Sequence, residues 1–147
     1  MQMLRPLSAA LLISLTMACT SNAQNTMPMT SVLSARLTGT SEVPPVTSTG
    51  SGMLEATVNT QTMLMTYTVS YAGLSGAVTA GHFHGPAAMN ANAGVVVPLP
   101  SLASPIHGTA TLTAAQLAEV MAGKWYVNLH TAAHPGGEIR GQVLVKP

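Results

Sequence analysis

The sequence contains no aspartate at all. That removes a Ser-His-Asp triad, an Asp–Asp dyad and a common carboxylate ligand for metals. Charge of either sign is scarce. Five Lys/Arg and four acidic residues, all of them glutamate, leave the chain 6% charged with a net charge of +1. The basic residues are scattered, so no surface is laid out to follow a phosphate backbone, and nucleic acid is not expected as a partner. There is one cysteine, Cys19. A lone cysteine cannot form an internal disulfide, so the fold must stand on its packed core. Phe and Trp occur once each. No run reaches the ~20 apolar residues that a membrane-spanning helix needs. Solubility falls to Thr, Ser and Asn, which suits extended strands better than helices.

What is present begins with an apolar segment. Arg5 is followed by a largely apolar run from Leu7 to Ala18, then by small and polar residues. That order is the signature of a secretory signal peptide over residues 1–23. Two cleavage points compete. "LTMAC" resembles a bacterial lipobox, in which Cys19 becomes a lipidated first residue, although Thr16 stands where a larger aliphatic residue is usual. "SNAQ" offers cleavage after Ala23. Either way the expected destination is the periplasm or the cell surface, with membrane contact only through a lipid on Cys19. Residues 24–31 are polar, contain Pro28 and read as a linker. Residues 32–147 are then the folded domain.

From Val32 the pattern has a period of two. "VLSARLTG" reads as a strand, and "SEVPPVTSTGSG" as a loop, since its prolines and glycines break a ladder. "MLEATVNTQTMLMTYTVSYAGL" reads as a β-hairpin turning at "NTQ". Met63, Met65, Tyr67, Val69 and Tyr71 form its core face. "AVTAGHFHG", "GVVVPL", "IHGTATLT", "KWYVNLHT" and "GEIRGQVLV" are further strands. One helix is expected over residues 113–122. Thr113 and Gln116 form a capping box, Leu117, Val120 and Met121 an apolar stripe, and Gly123 the stop. Short strands plus one short helix predict an all-β, antiparallel Greek-key β-sandwich.

Four of the five histidines fall in "GHFHG" and "HTAAHPGGEIRG". Strand side chains alternate between faces. If Phe83, the only phenylalanine, points into the core, His82 and His84 point away from it. If Trp125, Val127 and Leu129 point in, Tyr126, Asn128 and His130 point out. Ile139, Val143 and Val145 pointing in would turn Glu138, Arg140 and Gln142 out. A short loop joins the last two strands, which brings His130, His134, Glu138 and Arg140 near each other on the outer face. With the His-x-His strand beside them, His82, His84, His130 and His134 would converge. Neutral imidazoles suit copper, zinc, nickel or iron. The plain alternative is that these are ordinary surface histidines. His107 stands alone and reads as a strand or loop residue. Met-x-Met pairs at 27–29 and 63–65 could be soft copper ligands, but the second lies on the expected core face, where Met fills gaps.

These blocks resemble the CHRD (chordin-type) domain family. His-x-His-Gly-Pro-Ala and Tyr-Val-Asn-x-His-Thr-x-x-His-Pro-x-Gly-Glu-Ile-Arg-Gly are both complete, and the resemblance spans about residues 31–146. It implies an exported single-domain bacterial member. Family members include growth-factor-binding proteins of animals. The motif is also similar to the copper site of Cu,Zn superoxide dismutases, on a β-sandwich of the same general architecture. Carried onto this chain, that likeness makes His82, His84, His130 and His134 copper ligands. It makes Arg140 the residue that guides an anionic substrate. Without aspartate the analogy is to a copper-only site. Three readings stay open: a copper-binding module, a copper-only dismutase acting on superoxide, and an adhesion or protein-interaction domain that holds no metal.

Overall fold

The computed structural model describes residues 29–147. The segment expected to be a signal peptide, Cys19 and most of the expected linker lie outside the described residues. Eight strands and one helix follow in order: β1 Thr30–Thr38, β2 Ser51–Asn59, β3 Leu64–Ala72, β4 Val78–His84, β5 Val95–Pro98, β6 Ile106–Thr111, α1 Ala114–Met121, β7 Trp125–Thr131 and β8 Ile139–Val145. The fold is all-β and antiparallel, as expected. The strands belong to one hydrogen-bonded sheet in the order β5-β4-β7-β8-β1-β2-β3-β6. β1 begins at Thr30, two residues before the expected Val32.

The local chemistry follows the sequence closely. β1 to β3 alternate buried and open residues, with Leu33, Ala35, Leu37, Leu54, Ala56, Val58, Met65, Tyr67 and Val69 all facing the core. The β2–β3 hairpin turns one residue later than "NTQ". The Asn59 side-chain oxygen accepts from the backbone N–H groups of Gln61 and Thr62. Met63 takes a φ of 59° and leads into β3. It is thus a turn residue that packs against the core, not a core strand residue. The capping box on α1 is complete, with Gln116 N–H donating to Thr113 Oγ1 and Thr113 N–H to Gln116 Oε1.

The sheet curls nearly shut around this core. β3 and β4 are separated in it by four strands, yet Tyr67 and Phe83 meet edge to face with ring centroids 4.9 Å apart. Phe83 and Trp125 are both fully buried, as the facing argument requires. α1 packs beside β8, and Trp125 Nε1 donates to Glu119 Oε2 at 3.1 Å.

The outer face departs from expectation. All seven residues of β7 are buried, Tyr126, Asn128 and His130 included. Parity places these side chains away from the core, but the segment 85–94 folds over them. Gln142 Nε2 donates to Ala87 O, Arg140 Nη1 to Asn92 Oδ1 and Arg140 Nη2 to Ala91 O. Tyr126 and Ala93 bond each other, with Ala93 N–H on the phenol oxygen. Asn92 in turn donates to Val43 O. Over β7 and the start of β8 the outer face is therefore a second buried layer, polar where the inner one is apolar.

Candidate metal centre

β4, β7 and β8 lie side by side, so the expected neighbours are neighbours in fact. His82 pairs with Asn128 across β4–β7, and His84 with Tyr126. His130 is one register step further along. The structure brings His82, His84 and His130 together: one nitrogen from each lies within 4.8 Å of the others. His82 Nδ1 is 3.3 Å from His130 Nε2.

His134 is not brought into this group. Its backbone closes the β7–β8 turn, exchanging bonds with Thr131 and accepting from Gly137 N–H. Its side chain lines a separate hollow with Ser48, Ser75 and Glu138. His107 stays apart, exposed on β6 and 3.1 Å from Thr68 Oγ1.

The tautomers of two rings can be read from their partners. His84 Nδ1 lies 3.0 Å from Ala93 O, and His130 Nδ1 lies 2.9 Å from Pro135 O. A carbonyl oxygen only accepts, so both Nδ1 atoms carry the hydrogen. In the neutral rings Nε2 is then left with its lone pair. Both Nε2 atoms face Asn128 Oδ1, at 3.1 Å from His84 and 3.0 Å from His130. That oxygen is also an acceptor. Three lone-pair-bearing atoms therefore converge with no hydrogen between them, and this is where positive charge would be stabilised.

Two of the rings, His82 and His84, are biased toward the neutral state. Burial lowers the pKa of His82 below 6.5, and the neighbouring His130 and His84 lower it further. Burial also lowers that of His84, against the opposing pull of its bonds to Ala93 and Asn128. Tyr126 lies on β7 between the two flanking strands. It stacks on His84 at 4.7 Å with planes 4° apart, and the Arg140 guanidinium sits 3.4 Å from its ring centroid.

Two charged residues differ from the sequence expectation. Arg140 is 1% exposed and its donors are bonded to the 85–94 segment. An anion guide needs a guanidinium that faces solvent, so Arg140 holds the loop instead. Glu138 does not pair with it. Its carboxylate is fully buried and accepts from Ser48 Oγ, Ser75 N–H, Ser75 Oγ and Thr131 Oγ1 at 2.6–2.8 Å. Burial pushes this carboxyl up, but the hydrogen bonds from Ser75, Thr131 and Ser48 outweigh it and bring it down to about 2.

Every lone pair that Glu138 uses meets a donor, so Glu138→Gln would point its own NH2 at one of them. A loss of about 2–3 kcal/mol in urea-measured stability is expected at neutral pH. Because the folded pKa is depressed, the contribution is present above the unfolded value near 4.5 and fades as pH falls toward 2. The gap between wild type and variant should narrow over that window. A gap independent of pH would show that the carboxylate charge is not its source.

Sequence reasoning put Asn128 and Tyr126 on the right face without giving them a role. It missed Glu42 and the loop carbonyls of Ala93 and Pro135. The one available signal was scarcity, since Glu42 is one of only four acidic residues in the chain.

Fold and site together define a class: a curled antiparallel β-domain carrying a three-histidine cluster between its outer face and a covering loop. The CHRD domain matches residues 33–143, and the chain belongs to that family. No curated protein and no solved structure matches the chain.

Proposed function

We propose that this CHRD domain is an exported metal-binding module that holds copper through His82, His84 and His130. The observation that carries the reading is the convergence of the His84 and His130 Nε2 lone pairs on Asn128 Oδ1, beside His82 Nδ1. The His82–His130 pair is spaced for such an ion. Two nitrogens each ~2.05 Å from a common tetrahedral ion are about 3.3 Å apart, the separation between His82 and His130. Backbone carbonyls behind both buried rings fix their tautomers, as they do for metal-ligating histidines generally. Among first-row dications, copper has the highest affinity for a nitrogen site. Copper bound there would supply one-electron redox chemistry. With Arg140 turned to the loop, the dismutase reading lacks its guide residue. The signal-like residues 1–23 support a place in the periplasm or at the cell surface, with or without a lipid on Cys19.

A second reading draws on the same bonds. His84 donates to the covering segment and His130 to Pro135 in the β7–β8 turn, so the cluster could be a hydrogen-bonded clasp in a metal-free protein-interaction domain.

Untagged mature protein, loaded with Cu(II) and dialysed, should retain about one copper per chain by elemental analysis. Protons compete with metal for imidazole. Burial already disfavours the protonated forms of His82 and His84, so copper should stay bound at neutral pH and be lost on acidification. Protein that comes out of dialysis without copper would favour the clasp. Superoxide dismutation faster than that of free copper would restore the enzyme reading.

A further inference from the structure

The histidine site has three neutral donors and no negative charge of its own. A cation buried there is costly unless an anion lies near. The described carboxylates can be sorted by what they already do. Glu55 is exposed and faces Lys146 at 3.6 Å. Glu119 accepts from Trp125. Glu138 is saturated by four donors. Glu42 remains.

Glu42 follows the 3-10 turn Gly39–Ser41 and is 4% exposed. Its Oε1 is buried and has no hydrogen-bond partner among the described residues. Gly137 shows what lies beside it. A Cβ built there would stand 2.3 Å from Glu42 Oε1 and 2.9 Å from Asn128 Nδ2, so carboxylate and amide share one small space that only glycine leaves open. The backbone at Gly137 has a φ of 127°, which also demands glycine.

We propose that Glu42 is the counter-charge of the metal site and acts on it through the side-chain amide of Asn128. The inference rests on the metal reading above. The relay has two halves. The nitrogen end of the amide is turned toward Glu42 and favours its charge without closing a full hydrogen bond on Oε1. The oxygen end then necessarily faces His84 Nε2 and His130 Nε2. A rotated amide would set its oxygen against the carboxylate, so Glu42 fixes which end the histidines see. Burial raises the Glu42 carboxyl to about 7, against the pull of Arg140, Asn128 and the Val43 backbone. Such a carboxyl lacks a full cationic partner, and a bound metal would provide one. Glu42 is a positioning residue, not a ligand.

The test is Glu42→Gln, which keeps the shape and removes the charge. Cu(II) affinity should fall at least tenfold, within the ~10–100-fold typical of groups that support ligands. Cu(I), with half the charge, should lose less, so the reduction potential of the bound copper should rise. The urea midpoint of the copper-free protein should stay level or increase, because a neutral amide replaces a carboxyl whose charged form burial disfavours. Unchanged affinity for both ions overturns the proposal. So does an equal loss for both ions accompanied by lower copper-free stability, which would make Glu42 structural. If wild type binds copper, His82→Ala does not, and Glu42→Gln matches wild type, this proposal falls alone. If wild type takes no copper, the metal reading falls and takes this one with it.

Discussion

His82→Ala and His130→Ala should each abolish tight copper binding, whereas His107→Ala should bind copper like wild type. That is the expected result of titrating the three variants. Removing one of three nitrogens leaves an ion two donors, and loss of even a supporting partner typically costs ~10–100-fold. His107 is no part of the histidine cluster and sits exposed on β6 beside Thr68. The copper-free proteins should also differ. His82 is half-buried, and its one hydrogen-bond contact is the 3.3 Å approach to His130, so its loss should barely move the urea midpoint. His130 is 9% exposed and bonded to Pro135 O. Its loss should cost about 1–2 kcal/mol. His82→Ala is therefore the cleaner probe. Equal copper affinity in all three variants would make the cluster the clasp described above.

Arg140→Ala should be the most damaging outer-face substitution, at about 3 kcal/mol or more by urea denaturation. Three losses coincide. The cation–π contact with Tyr126 disappears, and a desolvated one contributes ~2 kcal/mol. Asn92 Oδ1 and Ala91 O lose their charged donor beneath a covered surface. A large fully buried side chain leaves a void. Arg140→Lys should not rescue the fold, because an ammonium cannot make the same planar fork or stack. The 85–94 segment should become sensitive to protease in both variants. Copper affinity should drop as well, since Ala93 O in that segment holds His84 Nδ1. A stability loss under ~1 kcal/mol would mean the segment is held by something other than Arg140.

How far the sequence could be read follows from what periodicity reports. Alternation in β1 to β4 and around Phe83 and Trp125 gave strands, their faces and the core, because it records which side of a strand meets apolar neighbours. The Thr113–Gln116 box gave the helix start for an equally local reason. The same alternation put Asn128, His130 and Arg140 on the outer face correctly. It could not say that the outer face is covered, since "GPAAMNANAG" has no period and its hold on the sheet comes from side chains 50 residues away. His134 and Glu138 failed for a related reason. Both sit in or beside the tight β7–β8 turn, where backbone bonds among Thr131, His134 and Gly137 replace strand alternation. Glu42 lies in a Pro-rich loop that gave no pattern to read.

The separation between His82 and His130 has a further consequence. They meet across 48 residues of chain, in a protein whose one cysteine rules out an internal disulfide. An ion shared by the two would be a reversible cross-link. By the chain-entropy estimate for closing a loop of that length, a permanent bridge would be worth about 4 kcal/mol. A metal supplies that constraint only while it is bound, so resistance to unfolding would rise and fall with the free copper around the protein.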